Sequence, residues 1–456
     1  MGAFIDTLRS GRWLTRERMR LWALAVLVAW LIGLAFVIGT SDGLNDYQGR
    51  PLGTDYSNVY AAGSYVLEGK AAAPFDWPAQ HQREQAIFGE NTPFYGWHYP
   101  PFFLFVAGAL ALMPFTLSLA VWQGATLLLY LLMTYAILAA SVPSPRWGEG
   151  QGEGDRASRS FPPHPTALRA VDLSPTGRGE ASGLTRDPLW LLLALAFPAV
   201  FVNIGHGHNG FLTATLLGTA LLVLDRRPAL AGILFGLIAY KPQFGLLIPL
   251  VLIASGRWRA FFAASLTVAA LALVTLLAFG PDVWRAFLAS SALTRVEVLE
   301  QGGTGWHKIQ SVFSVVRLGG GTVALAYVVQ GAVTLGLAGA LAWLWRSEAN
   351  FSLKAAALSL AAIAATPYSL DYDLVVLAPA IAFLAAHGMT HGFATWEKTA
   401  LALLWFMPLI ARPVAEHTLI PLGVPLMLIA FALVMRRALA DLGMFARWQS
   451  ASQPVK

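Results

Sequence analysis

The sequence predicts an all-α membrane protein, a polytopic transmembrane bundle of about 12 or 13 spans at roughly twenty residues each. Two compositional observations favour this class: 56% of the residues are hydrophobic and only 12% are charged. Soluble domains carry about a quarter charged residues. The third observation is the pattern of the chain, in which apolar stretches alternate with short Lys and Arg clusters. Such clusters orient membrane helices, so the net charge of +6 indicates topology and predicts no nucleic-acid partner.

The first apolar stretch, Leu21 to Ile38, is long enough to cross a bilayer, and we expect it to remain as a span and not to be cleaved. Five Arg residues precede it within the first twenty positions. They predict a cytoplasmic N-terminus and place the polar interval 41–99 on the outer face. The further candidate spans lie at 101–140 (two crossings), 188–204, 209–224, 228–240, 243–255, 260–279, 322–345, 353–366, 373–387, 398–411 and 419–435.

The spans between the interval 41–99 and the next outer turn, at Gly205, do not give a consistent count. Three candidate crossings lie there, whereas two segments on the same face require an even number. Either one short segment is re-entrant, or one basic anchor is misassigned. The short segments are 101–113, 188–204, 228–240 and 243–255.

The chain divides into three parts. Residues 1–141 hold the first span, the polar interval and the following spans. Residues 142–187 are rich in Gly, Pro, Ser and Arg, and this composition predicts a disordered low-complexity insertion. Residues 188–456 hold the remaining transmembrane bundle with a second outer loop, 281–321. The chain has no Cys, which excludes disulfides, thiolate metal sites and Cys nucleophiles.

Asp55 is the candidate catalytic residue of the polar interval. Tyr56, Tyr60, Gly63 and Tyr65 follow it in helical order, so Asp55 is expected near the start of an amphipathic helix. The helix dipole favours a carboxylate there. A carboxylate in this position is suited to act as a general base toward a sugar hydroxyl, although an acid in a loop is more often simply solvated.

Two aromatic and histidine-containing groupings are candidate substrate contacts. His98 and Tyr99 stand before Pro100-Pro101, where the prolines suit the first turn of a membrane helix and the aromatic rings suit its interface. The turn 205–210 carries three polar residues between apolar segments: His206, His208 and Asn209. Two His residues one position apart without a nearby carboxylate are a weak metal signal, so we expect this turn to line a cavity.

Two charged groupings complete the candidate site. Lys241 and Gln243 lie between two apolar stretches, where a lysine is costly unless it faces water, an anion or a polar cavity. The position suits a phosphate clamp, with snorkelling to the interface as the alternative. Asp371 and Asp373 stand at the head of a later span. They are interpreted either as a substrate-binding pair or as acids in the first turn of a helix.

The order of these motifs resembles the family 87 glycosyltransferases, membrane enzymes of the C-type superfamily. The resemblance rests on Asp55-Tyr56, Tyr99-Pro100-Pro101, Gly205 to Gly210, Lys241-Pro242-Gln243 and Arg257-Trp258-Arg259, together with Ala62-Gly63, 67–69 and 75–76. It covers most of the chain except 142–187. The family tends to show Gly-Gln-Asn where this chain reads Gly207-His208-Asn209, so the role of His208 stays open.

The resemblance implies the C-type fold with a catalytic first outer loop and an inverting transfer of a hexose, often mannose, from a polyprenyl-phosphate donor. The acceptor would be a lipid or glycan, and the membrane lipids themselves are partners. Asp55 matches the expected general base. The implied location is the outer face of the bacterial cytoplasmic membrane. The superfamily includes members that need a divalent metal and members that do not, so a metal cofactor stays open.

A membrane transporter or flippase for a lipid-linked substrate is the main alternative. It would place its polar groups near the bilayer midplane, often on paired broken helices. In this chain they collect at predicted outer helix ends, and no two-half repeat is visible. An O-antigen ligase or polymerase would be expected to carry a large Arg-rich loop late in the chain, and 281–321 is modest.

Overall fold

The computed structural model describes residues 2–140 and 187–444, and their regular structure is helical. The predicted disordered insertion, 142–187, lies outside the described residues except for Asp187. The helices, numbered here in chain order, are α1 (Gly2–Ser10), α2 (Arg16–Gly39), α3 (Tyr56–Leu67), α4 (Trp77–Phe88), α5 (Leu104–Ala111), α6 (Phe115–Ala140), α7 (Leu189–Leu195), α8 (Pro198–His206), α9 (Gly210–Val223), α10 (Pro228–Leu237), α11 (Ile248–Ala254), α12 (Trp258–Phe279), α13 (Pro281–Thr294), α14 (Val312–Leu318), α15 (Val323–Arg346), α16 (Phe351–Ala364), α17 (Leu377–His391), α18 (Glu397–Thr418) and α19 (Gly423–Asp441).

The predicted all-α polytopic membrane bundle is confirmed. Within the described residues, seven helical segments are long and apolar enough to cross a membrane. An eighth crossing is formed if α7 and α8 are counted as one span, bent by 43°. Five further apolar helices have only 10–17 residues. The 12 or 13 expected spans therefore correspond to seven or eight long spans and five shorter apolar helices within the described residues. Proline begins several of the short segments, as at Pro101, Pro228 and Pro242, where it suits the first helical turn.

The inconsistent count of crossings is explained by the short segment Pro101–Ala111. At 1.5 Å per residue it is about 16 Å long, roughly half the hydrocarbon thickness. Its start lies beside the C-terminal end of α12, where Phe105 stacks on Phe279, and its end lies beside the polar interval, where the Met113 carbonyl accepts a hydrogen bond from Tyr60 Oη at 3.0 Å. The segment thus stays at one end of the bundle. Helix α6 and the bent α7–α8 pair supply two crossings.

The bundle has two chemically different ends. At one, which we call the basic end, Arg257 pairs with Asp225, and Arg346 donates to the Ala254 carbonyl at 3.4 Å. Arg437 pairs with Glu397 at 3.3 Å at the same end. The opposite end, which we call the loop end, carries residues 41–100. The basic clusters that the sequence places between spans are thus gathered on one side.

The polar interval 41–100 folds as a small helical layer at the loop end. Helix α3 lies against α5, with Gly63 so close to Ala107 that a Cβ at position 63 would lie 2.1 Å from the Ala107 carbonyl oxygen. Helix α4 begins at Asp76, whose side chain accepts a hydrogen bond from the Ala79 amide. This packing fixes α3, and with it the first turn that carries Asp55.

Candidate active site

Asp55 lies at the N-terminus of α3, as the sequence predicts. Its side chain makes no capping hydrogen bond to the helix, and the hydroxyl of Tyr372 is close enough to the carboxylate to lower its pKa by hydrogen bonding. The side chain is about one fifth exposed (20%). Burial raises the pKa of Asp55 above its ordinary value, whereas the nearby His206 lowers it. A partly desolvated carboxylate of this kind binds a proton more readily than a solvated one.

The histidine turn 205–210 packs directly against the turn that carries Asp55. Gly207 has a positive φ of 61°, and a Cβ there would lie 2.6 Å from Cβ of Tyr56. Because the two backbones approach so closely, Nδ1 of His206 lies 2.8 Å from Oγ1 of Thr54 and 4.0 Å from Oδ1 of Asp55. The structure therefore brings together Asp55 and His206, which are 151 positions apart.

Lys241 is held in a buried ion pair with Asp373. The Lys241 Nζ lies 2.6 Å from Oδ1 of Asp373, and the two side chains are 6% and 2% exposed. The other Asp373 oxygen, Oδ2, accepts a hydrogen bond from the Leu370 amide at 3.0 Å. The positive charge of Lys241 is therefore already balanced by a carboxylate within the protein.

His208 connects this ion pair to the aromatic residues of the site. Its Nε2 lies 3.4 Å from Nζ of Lys241 and 3.3 Å from Oη of Tyr99. Its ring stacks on Tyr372 with centroids 3.7 Å apart. The His208 Nδ1 and the Asn209 Oδ1 are buried and have no hydrogen-bond partner among the described residues. Buried polar atoms are usually paired, so these two are available to a bound molecule.

Two further cations lie near the acids of this region, Lys308 on the loop 302–311 and Arg412 on α18. Arg412 on α18 pairs with Asp371, its Nη1 lying 3.2 Å from Oδ2. Lys308 is half-buried, and its ammonium forms no hydrogen bond or ion pair with the described residues. Burial lowers the pKa of Lys308, and so does the neighbouring Arg412, while Asp371 and Asp55 raise it. Lys308 is thus an unpaired cation beside the candidate base.

The loop that carries Lys308 is anchored next to the two acids. The Gln310 amide donates a hydrogen bond to the Ser369 carbonyl at 2.6 Å, and Ile309 pairs with Leu370 through a short β-bridge. A separate small apolar cluster, centred on the fully buried Ile309 and Phe313, supports the loop from below. The C-terminal half of the predicted outer loop 281–321 is therefore anchored beside the segment that carries the two acids, whereas its N-terminal half is α13.

A family model of glycosyltransferase family 87 matches residues 97–379 of this chain, more than half of its length. The chain belongs to glycosyltransferase family 87. It is an integral membrane glycosyltransferase, in agreement with its long apolar helices. No curated protein and no solved structure matches the chain significantly. The matched region includes the histidine turn, Lys241 and the pair Asp371/Asp373. Asp55 precedes its first residue, 97, and Arg412 follows its last, 379.

Two of the predicted site residues of this family 87 glycosyltransferase make their contacts elsewhere or make none. His98 Nδ1 lies 2.9 Å from Oγ1 of Thr294, and its ring lies against Trp77. Burial lowers the pKa of His98 to about 4, so the ring is neutral at physiological pH. Gln243 is half-buried and forms no side-chain hydrogen bond with the described residues. The structure connects neither of them to Asp55.

Sequence reasoning missed two residues of the site region, Arg412 and Glu84. Arg412 carried a usable signal, because an arginine inside an otherwise apolar helix defaults to a functional hypothesis. Glu84 is fully buried on α4, where its carboxylate accepts hydrogen bonds from the Tyr95 amide at 2.9 Å and from Gln80 Nε2 at 3.3 Å. Burial raises the pKa of Glu84 to about 8, with a further contribution from Asp55. Nothing in the polar, exposed-looking sequence around Glu84 predicted this burial.

One structural observation bears on whether the protein could hold a metal cofactor. Among residues 2–140 and 187–444, no three His, Cys, Asp or Glu side chains are grouped so that they could hold a metal ion. Asp371 and Asp373, the acids that such a site would have drawn on, are paired with Arg412 and Lys241.

Proposed function

We propose that this enzyme transfers a hexose, mannose by family resemblance, from a polyprenyl-phosphate sugar to a lipid or glycan acceptor at the outer face of the bacterial cytoplasmic membrane. One observation carries the proposal: a mostly buried carboxylate, Asp55, interacts electrostatically with Lys308, an ammonium unpaired among the described residues that also neighbours the guanidinium of Arg412, at the end of the bundle opposite the basic clusters. A base and a phosphate-binding cation are the two groups that this transfer needs.

Asp55 is assigned the role of general base. The acceptor hydroxyl gives its proton to the Asp55 carboxylate while its oxygen forms a bond to the anomeric carbon. The bond from that carbon to the phosphate oxygen breaks, and its electron pair leaves with the polyprenyl phosphate. A single displacement of this kind inverts the anomeric configuration. The raised pKa of Asp55 supports proton uptake in the transition state.

Lys308 and Arg412 are assigned to the phosphate of the donor. Arg412 pairs with Asp371, whereas Lys308 has no ion pair of its own among the described residues, although Asp371, Asp55 and Glu416 all act on it electrostatically. The phosphodiester of the donor carries one negative charge and the departing polyprenyl phosphate gains a second, and charge-assisted hydrogen bonds to phosphate are among the stronger polar contacts in proteins. Lys241, the residue first assigned to this task, is instead proposed to orient His208 from its pair with Asp373. His208, Asn209 and Tyr99 then contact the sugar hydroxyls.

The donor is the first property to test. Purified enzyme in lipid is offered radiolabelled mannose on polyprenyl phosphate or on a nucleotide. We expect transfer from the lipid-linked donor alone. Transfer from the nucleotide sugar would overturn the donor assignment. Movement of the lipid-linked sugar between bilayer leaflets with no consumption of donor would instead support a flippase.

The base assignment is tested by Asp55→Asn, which keeps the size of the side chain and removes its basicity. We expect kcat to fall at least about a hundredfold, because general-base catalysis contributes roughly that much or more. The matched control is Asp76→Asn, since Asp76 begins the next helix of the same layer. Near-normal transfer by Asp55→Asn, with the same thermal unfolding midpoint as the native enzyme, would remove Asp55 from the chemistry.

A further inference from the structure

The closest approach between the candidate base and the rest of the site is made by two glycine turns. Gly53 has φ 63° and Gly207 has φ 61°, and a Cβ on Gly53 would lie 3.3 Å from Cα of Gly207. A Cβ on Gly207 would lie 3.0 Å from the Gly53 carbonyl oxygen. Only residues without side chains fit at both positions. Their packing puts Thr54 and His206 side by side, with Oγ1 and Nδ1 2.8 Å apart.

The helix ends that meet at this point have complementary charge. Asp55 lies at the N-terminus of α3, where the helix dipole favours a negative group. His206 lies in the last turn of α8, where the dipole favours a positive group. Both helix ends therefore favour the charge-separated state, a carboxylate on Asp55 and an imidazolium on His206. Oδ1 of Asp55 and Nδ1 of His206 lie 4.0 Å apart, beyond hydrogen-bond distance, so direct proton transfer requires a side-chain rotation that brings the two atoms together.

The far side of the His206 ring has a route to water. The side chain is 27% exposed, and Nε2 forms no hydrogen bond with the described residues. The ring face is supported edge-on by Tyr372, with centroids 5.3 Å apart. His206 is thus fixed on its Nδ1 side and open on its Nε2 side. An imidazole takes a proton on one nitrogen and releases one from the other.

We propose that His206 forms a proton relay with Asp55, accepting the proton that the base takes from the acceptor hydroxyl and releasing it to water. This rests on the proposed function, in which Asp55 is the base. The proton leaves the acceptor oxygen, resides on Asp55 while the phosphate departs, and passes to His206 Nδ1. The Thr54 hydroxyl then accepts a hydrogen bond from Nδ1 instead of donating one. Loss of a proton from Nε2 to water leaves Asp55 ionised and His206 neutral with its proton on Nδ1, and an exchange of protons with water then restores the starting tautomer, with Nδ1 free to accept again.

Several charged groups besides His206 act on Asp55 and set the pH at which it works. Lys241 lowers the pKa of Asp55, and Asp371 raises it. Glu84 on α4 and Lys308 on the loop 302–311 also interact with Asp55 electrostatically. His206 is the largest of the charge contributions to the Asp55 pKa. Its removal should therefore move the pH dependence of turnover even with these other groups intact.

The relay is tested with His206→Ala and His206→Asn. Asparagine keeps a hydrogen-bonding group near Thr54 but cannot carry a proton, so both variants are expected to lose kcat, by about ten- to a hundredfold, with KM changed less. The acidic limb of the kcat profile should move to higher pH, because at low pH a positively charged His206 ring lowers the pKa of Asp55 and neither variant carries that charge. Free imidazole should restore a measurable part of the His206→Ala activity, since the vacated position is open to solvent.

The matched control is His417→Asn, because His417 also lies in the last turn of a helix at the loop end and is exposed. It should keep native kcat and pH dependence. A His206→Asn variant with the native pH profile, or a His206→Ala variant that is slow but insensitive to imidazole, would overturn the relay. Failure of the proposed function is distinguishable, since native enzyme would then transfer no sugar from the lipid-linked donor or Asp55→Asn would stay active.

Discussion

At the scale of single residues, the role of each charged side chain in the site depends on whether it has a partner within the protein. Lys308 has no hydrogen bond or ion pair among the described residues, whereas Lys241 is saturated by Asp373. The two lysines are therefore expected to respond differently to substitution. Substitution of Lys308 should affect the binding of the donor, and substitution of Lys241 should affect the stability of the fold.

Lys308→Gln is expected to raise KM for the lipid-phosphate donor by about tenfold or more, since hydrogen bonds to charged groups contribute roughly 1.5–3 kcal/mol. The inhibition constant of free polyprenyl phosphate should weaken by a similar factor, because product and donor share the phosphate. The control is Lys70→Gln, an exposed lysine of the same end that pairs with Glu68. An unchanged inhibition constant in Lys308→Gln would exclude this lysine from the phosphate site.

Lys241→Met is expected to lower the free energy of unfolding by about 3–5 kcal/mol, because it leaves the Asp373 carboxylate buried without its cation. The double variant Lys241→Met/Asp373→Asn removes both charges and should recover much of the loss. Thermal unfolding in detergent measures both. If the single and double variants unfold at the same temperature as the native enzyme, the ion pair carries no stability.

At the scale of helices and loops, the sequence predicted the apolar elements well and their lengths less well. Long stretches such as Phe115–Ala140 and Trp258–Phe279 follow directly from hydropathy. Pro101–Ala111 is also apolar, but it is shorter than a full crossing and packs on α3. Hydropathy shows that a segment is apolar. It does not show which helix packs against a small residue such as Gly63, because that contact depends on the tertiary structure.

Glu84 on α4 gives the protein's stability a testable dependence on pH. Its pKa is raised from 4.5 to about 8 by burial, so the folded state holds the proton more tightly than the unfolded chain does. The contribution of Glu84 to the free energy of unfolding is therefore fully stabilising below pH 4.5 and is lost as the pH rises through 8. Glu84→Gln mimics the protonated acid and offers a donor to the unpaired Gln80 Oε1. We expect it to stabilise the protein by roughly 2–4 kcal/mol near pH 8 and little near pH 4.5.

The measurement for Glu84 is the thermal unfolding midpoint in detergent across pH 5 to 9. The native enzyme should lose stability relative to Glu84→Gln as the pH rises. Glu90→Gln is the control, because Glu90 is exposed in the same layer. Parallel curves for native and Glu84→Gln enzyme would show that Glu84 is ionised without penalty.

At the scale of the whole molecule, the site is assembled from segments that are distant in sequence. Asp55, the histidine turn, Lys241, Lys308 and the 371–373 segment all meet at the loop end. Assigning basic clusters to one side predicted that these segments share an end, because each lies opposite such a cluster. Which side chains touch was not predictable, since Lys241 could equally have faced a substrate. Lys241 faces Asp373, which lies 132 positions away in the sequence, because the two side chains form an ion pair.

The orientation of the whole bundle is open to a direct test, because the chain has no native Cys. Gln48→Cys places a thiol on an exposed turn of the loop end, and Thr395→Cys places one at the basic end, where the Thr395 carbonyl accepts a hydrogen bond from Arg436 at 2.5 Å. Since basic segments stay on the cytoplasmic side, a membrane-impermeant maleimide should label position 48 in intact cells and position 395 only after permeabilisation. The reverse pattern would put Asp55 in the cytoplasm, where a donor presented at the outer face could not reach it. Equal labelling of both positions before permeabilisation would mean that the cells leak, so a cytosolic thiol protein is followed in parallel.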